Sequence, residues 1–199
     1  MSLITQSLVT AAEAEDYCQI QSPEHDVVIE RIINGVSQQF STYASRNFIS
    51  AVYTAVKMTG NGTAYLYLPN WPVTTLTTVV EDGATLTLDT DFYSDQTEGL
   101  LTKANYHGTL YGAMYGYSTN WSINTHAIVI TYTAGYTAAL LPADLKLAAL
   151  KEIARQYQAF ITKDTGESSR SVQGSSTSKS DPARPEWMEV VSRYRRLRV

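Results

Sequence analysis

Acid–base, metal and nucleophilic chemistry all need carboxylates, imidazoles or thiols gathered at short spacing. The densest carboxylate group in this chain is Asp82, Asp89, Asp91 and Asp95. Two of these could act as acid and base on a sugar, or several could hold calcium. The ligand spacing of an EF-hand is absent, and aspartate is a common turn residue, so solvated turns are the expectation. His25, His107 and His126 are far apart and have no acidic partner at ligand spacing. The single cysteine, Cys18, excludes an internal disulfide and a cysteine-based zinc cluster, and is expected to pack as a small hydrophobe near a helix end. Gly60-Asn61-Gly62-Thr63 could be taken for a phosphate turn, but neither a lysine nor a helix start follows, and a hairpin turn is expected instead. No nucleophile elbow, phosphate loop or dinucleotide fingerprint is present. The expectation is therefore no catalytic residue, no metal, no cofactor and no enzymatic activity.

Aromatic residues offer a different chemistry, that of binding. The chain has 14 tyrosines against 4 phenylalanines. A tyrosine has an apolar ring and a polar tip, which suits half-wet surfaces and interfaces. Tyr106, Tyr111, Tyr115, Tyr117 and Trp121 crowd one Gly/Ser/Asn-rich stretch. Such faces could stack on sugars or bases, but few Lys or Arg lie nearby, so a protein contact through Tyr111, Tyr115 and Trp121 is expected. At the other end Trp187, Val191 and Tyr194 share a segment with Arg193, Arg195, Arg196 and Arg198. The arginines could touch DNA phosphates, match an acidic partner or favour the negative helix pole. Since aromatic and arginine side chains are common interface anchors, docking in a protein groove is the expectation, on this chain, a sister copy or another protein. In LPNWPVTTLTTVVEDG (residues 68–83) two prolines flank Trp71, which makes either a displayed platform or a strand corner.

The elements that must position these residues are legible from period and punctuation. Thr10 and Glu13 form a capping box for a short helix, about 10–20. Ser22-Pro23-Glu24 starts a second, about 23–46, with Ile29, Ile32, Ile33, Val36, Phe40 and Tyr43 at helical spacing. Runs rich in Thr, Val, Tyr and Leu then form a β-rich insertion over about 51–133, of which Ala127 to Thr133 is the strongest strand. Pro142-Ala143-Asp144 opens a long helix over about 142–163. Leu147, Leu150, Ala154, Tyr157 and Ile161 make one apolar line on it, widened by Leu145, Ala149 and Ile153. Residues 164–182 read as a flexible linker, and 183–199 as a tethered docking helix. The fold class is α+β: a helical core in residues 1–163 interrupted by an antiparallel β-rich unit. The chain has 199 residues and a net charge of −4, enough for one folded body and unlike a protein that grips phosphates. No apolar run approaches the about 20 residues of a membrane span, and no secretion signal is expected at MSLITQSLVTAAEAEDY, so a cytosol-made, reduced, soluble protein is expected.

Five stretches in order, LITQSLVTAAEAEDYCQI, VVIERIINGVSQQFSTYASRNF, LYLPNWPVTTLTTVVEDG, IVITYTAGY and LPADLKLAALKEIARQY, resemble the head-tail connector (adaptor, neck or head completion) proteins of tailed bacteriophages. The resemblance covers about residues 3–160. It implies a non-enzymatic virion protein, made in the host bacterial cytoplasm and placed in the neck. It also implies a closed ring of identical copies, expected to be a dodecamer, beneath the portal protein and above the next neck or tail-completion protein. Double-stranded DNA would pass through without sequence-specific contact. In that setting Pro69 and Pro72 read as corner punctuation, and Ile33, Phe40, Leu147, Leu150 and Tyr157 as subunit–subunit packing. Trp187, Val191, Tyr194 and the four arginines become the portal-docking set. Two other readings differ in class: a carbohydrate- or receptor-binding virion module using the 106–121 loop, and a hydrolase built on the aspartate turns.

Overall fold

Local chemistry at Thr10 and Glu13 starts the first helix as the sequence predicts. The Thr10 hydroxyl accepts the Glu13 amide at 3.3 Å, and the Glu13 carboxylate accepts the Thr10 amide at 2.9 Å. The computed structural model describes residues 2–20, 23–104, 120–162, 169–172, 175–178 and 185–195. They divide into two units, Met1–Asn47 with Ala138–Val199, and Phe48–Thr137.

The first unit is helical. It comprises α1 (Ala11–Cys18), a 3-10 turn at Pro23–His25, α2 (Asp26–Ala44), α3 (Ala143–Thr162) and α4 (Glu186–Arg193). Ile29, Ile33, Val36 and Phe40 bury the predicted stripe of α2. On α3 the buried stripe runs through Leu145, Ala149, Ile153 and Tyr157, with Leu147 exposed and Leu150 half-buried. The secondary line of the sequence pattern is thus the core line, because steps of 3.6 residues from Leu145 reach Ala149, Glu152 and Ile153. Glu152 is buried on this stripe but receives Arg155 at 2.9 and 2.7 Å and Gln156 at 2.8 Å. Within the span read as a linker, Ser169–Val172 and Ser175–Ser178 pair as an antiparallel hairpin. Residues 163–168, 173–174 and 179–184 lie outside the described residues.

Lys146 of α3 pairs with Glu13, joining α1 to α3. Burial works to raise the Glu13 pKa, but hydrogen bonds from Lys146 and from Thr10 outweigh it and hold the carboxyl below its ordinary 4.5. A carboxyl lowered in the folded state contributes stability above its unfolded pKa and loses it as pH falls through the folded value.

The second unit consists of β1 (Ala51–Met58), β2 (Tyr65–Tyr67), β3 (Val73–Glu81), β4 (Ala84–Leu86), β5 (Phe92–Asp95), β6 (Leu100–Lys103) and β7 (Ile128–Ala134). They form two antiparallel sheets, ordered β1-β7-β3-β4 and β2-β6-β5. On β7 every second residue is buried, namely Ile128, Ile130, Tyr132 and Ala134. Those side chains share one core with Val73 and Val79 from their own sheet and Leu66, Leu101 and Phe92 from the other. The two sheets therefore pack inner face to inner face.

A buried ion pair crosses that core: Lys103 of β6 meets Glu81 of β3, with side chains 7% and 10% exposed. The other Glu81 oxygen accepts the Ser122 amide at 2.8 Å. The proline pair forms a corner, with the Leu68 amide donating to Gly99 O (2.8 Å), Val73 to Gln96 O (2.7 Å) and Gly135 to Pro72 O (2.9 Å). The Trp71–Pro72 peptide is cis. Gly99 has a φ of +64°, and a Cβ there would lie 3.0 Å from Trp71 Cβ, so glycine is required at this corner.

Two predictions follow from these pairs. Lys103→Met should destabilise the protein by about 3–5 kcal/mol in urea denaturation, because it strands a buried carboxylate, and adding Glu81→Gln should recover much of the loss. Glu13→Gln should cost less than about 1 kcal/mol at neutral pH, since the pair is partly exposed. Its stability should also fall less steeply than the wild type's on acidification below pH 4.5.

Candidate functional site

The aromatic–arginine segment is seated on its own chain. Trp187 of α4 stacks on Phe40 of α2, with centroids 4.8 Å apart and planes at 20°, and meets Tyr43 edge-on at 5.4 Å. Trp187 is 4% exposed and Val191 fully buried. The Tyr194 hydroxyl donates to Asp144 at the start of α3 (2.6 Å). Trp187 and Val191 are thus core residues of the helical unit, which corrects their assignment as portal-docking anchors. Amphipathic spacing says that a stripe is buried; it does not say against which chain. Arg193 and Arg195 remain exposed; Arg195 also lies over the Tyr43 ring at 5.7 Å. Arg196 and Arg198 lie outside the described residues.

The subunit-packing set divides in the same way. Ile33 and Phe40 are fully buried in the helical unit, and Tyr157 is 7% exposed with His25 edge-on to it at 5.7 Å. These three cover their own core and are corrected accordingly. Leu147 is 47% exposed, and Leu150 half-buried. Leu147 borders a groove of about 580 Å³ between α3 and α4, walled also by Lys151, Arg155, Glu186, Trp187 and Val190.

Tyr111 and Tyr115 lie outside the described residues. Trp121 is described and is 1% exposed. Its indole N–H donates to Ala64 O at 3.0 Å, its ring faces Phe92 at 6.2 Å, and Lys103 Nζ lies 4.8 Å above it. Trp121 is a core residue of the β unit, which corrects its assignment as a loop contact. Its acceptor is 57 positions away, so no local pattern reveals it.

The aspartates behave as turn residues. Asp91 accepts the Thr87 amide at 2.7 Å, Asp95 accepts those of Thr97 and Glu98 at 2.9 and 3.2 Å, and Asp82 accepts the Asn124 side chain at 3.2 Å. No group of three or more His, Cys, Asp or Glu side chains able to hold a metal occurs among the described residues. Burial raises the Cys18 thiol, which favours its neutral form. No helix among the described residues is long and apolar enough to cross a membrane.

What the sequence reading missed are the two outer sheet faces. In the four-stranded sheet Thr133 lies between Val52 and Thr75, Thr131 beside Thr78, and Val129 between Lys57 and Val80. Among these outward positions Lys57 alone is charged. In the three-stranded sheet Thr102 lies between Tyr65 and Tyr93, and Leu100 between Tyr67 and Asp95. The three tyrosines are 53%, 53% and 40% exposed for Tyr65, Tyr93 and Tyr67, and Asp95 is the one charged residue on that face. A solvated sheet face ordinarily carries more charge than this. The only local signal was the period-two spacing of Tyr65 and Tyr67 around Leu66, which cannot bring in Tyr93 from another strand.

Among the described outward strand positions each sheet face thus carries a single charge, Lys57 on one and Asp95 on the other. The fold is similar to chains of three assembled particles. A chain of the neck of an empty GTA particle computed with C6 symmetry matches at TM-score 0.62 and 17% identity, covering 100% of this chain and 95% of the other. A chain of the virion of a native gene transfer agent particle matches at 0.55 and 15%, covering 100% and 95%. A chain of the neck of a native GTA particle computed with C12 symmetry matches at 0.53 and 16%, covering 100% and 94%. No curated protein matches the chain in sequence. Residues 7–197 match the head completion protein family, and the chain belongs to that family. Its role is that of a structural head-tail connector.

The seating of α4 is open to test. Trp187→Ala should destabilise the helical unit by about 3–5 kcal/mol in chemical denaturation, and Trp187→Phe, which keeps a stacked ring on Phe40, by clearly less.

Proposed function

We propose that this chain forms a closed ring in the neck of a tailed phage or phage-like particle, beneath the portal and above the next neck or tail-completion protein. The observation that carries this reading is the family match over residues 7–197, which spans both units. A fold shared over the whole chain with neck proteins of C6- and C12-computed particles supports it, and twelve copies is the number we favour. A heterologous contact that closes on itself produces such a ring. Double-stranded DNA passes through its lumen without sequence-specific contact, and the net charge of −4 is compatible with a conduit that does not hold phosphates. The chain carries out no catalysis. Membership in the head completion family and the engagement of Asp91 and Asp95 by their own turns support that part.

With Trp187 and Val191 buried, the portal contact falls to the exposed arginine end of α4, where Arg193 and Arg195 suit an acidic surface. The test is co-purification of the full chain with its cognate portal, read by native mass spectrometry. Arg193→Glu with Arg195→Glu should leave the chain folded, at a cost of about 1–2 kcal/mol for the lost Glu189 pair and Tyr43 contact, and reduce portal-bound copies at least about tenfold. Unchanged binding by a folded variant would remove this surface from the portal contact. A wild-type chain that never joins the portal would overturn the connector placement itself.

A further inference from the structure

The β unit has an inner core shared by its two sheets, so the outer faces of those sheets lie on opposite sides of it. The two faces differ in chemistry. One is a Thr/Val surface formed by β1, β7 and β3, on which Val52 is 68% exposed. The other is the tyrosine surface of β2, β6 and β5. Each carries one charge at its outward paired positions, and the signs are opposite: Lys57 on the first, Asp95 on the second. Charge depletion and tyrosine enrichment mark the centre of a protein interface. Two unlike, complementary faces on opposite sides of one body can repeat head to tail, and that is the contact a ring requires.

We propose that the Thr/Val face of one copy packs on the tyrosine face of the next, with Lys57 of the first opposite Asp95 of the second. This rests on the ring reading above and names the surfaces that close the ring. The occupant of each face is a second copy of this chain. β-Branched side chains present a low, even surface against which tyrosine rings can lie. The single charge pair sets register, since a shifted copy would leave both charges facing uncharged side chains.

The test uses the native protein assembled with its portal and treated with a zero-length carbodiimide cross-linker, followed by peptide mass spectrometry. Lys57 and Asp95 lie on opposite faces of one copy, so an amide between them reports a neighbour. The account predicts the Lys57–Asp95 cross-link in the ring fraction and its absence from monomer. In parallel, Lys57→Glu should lower ring yield about tenfold by setting two carboxylates together. Asp95→Asn, which keeps an acceptor for the Thr97 and Glu98 amides, should restore much of that yield in the double variant. Rings that form without the cross-link and are indifferent to Lys57→Glu overturn this contact and leave the ring reading standing. Failure of the wild type to form any ring overturns both.

Discussion

A small sheet can hide only one of its faces, and that constraint governs the β unit. Three strands on four suffice to bury Leu66, Leu101 and Phe92 against Val73, Val79 and the inward residues of β7. The inner faces are then committed, and the Lys103–Glu81 pair joins one strand of each sheet across them. Such a pair is costly to desolvate and contributes little net stability, yet either partner alone would be far worse. The Trp121 ring, packed under Lys103 and bonded to Ala64 O, closes the same corner of the core.

The helical unit meets the same problem by adding an element. Without α4, Phe40 would present its ring at the surface of α2, and Trp187 covers it. A helix of only eight residues has little intrinsic stability, so its order comes from Trp187, Val191 and the Tyr194–Asp144 hydrogen bond. Arg193 and Arg195 stay exposed while Trp187 and Val191 are buried.

Much of the fold was legible in the sequence because local signals decided it. The Thr10–Glu13 box, the proline before α3, the Ile29–Phe40 stripe and the alternation of β7 each act within a turn or a strand. The corner at Trp71 was left open by the local pattern and favoured only through the resemblance, because its hydrogen bonds reach Gln96, Gly99 and Gly135. The surfaces were harder. Trp121 sits in an aromatic-rich stretch and was placed there as a contact, but it answers to an acceptor brought near only by folding. Trp187 shows a docking pattern that its own α2 satisfies. Tyr65, Tyr67 and Tyr93 fall on separate strands, and only strand register reveals that they share a face. The tyrosine excess suggested half-wet surfaces, and which tyrosines are exposed together depended on strand pairing that a linear pattern does not contain.

The chain belongs to the head completion family over residues 7–197, a match that spans both units. The most direct measurement is a cryo-EM reconstruction of the intact neck, with this chain fitted into the layer below the portal. The account predicts a closed ring of this fold at that level, encircling the DNA path. A neck whose density at that level is filled by other proteins, in particles that still eject DNA, would contradict it.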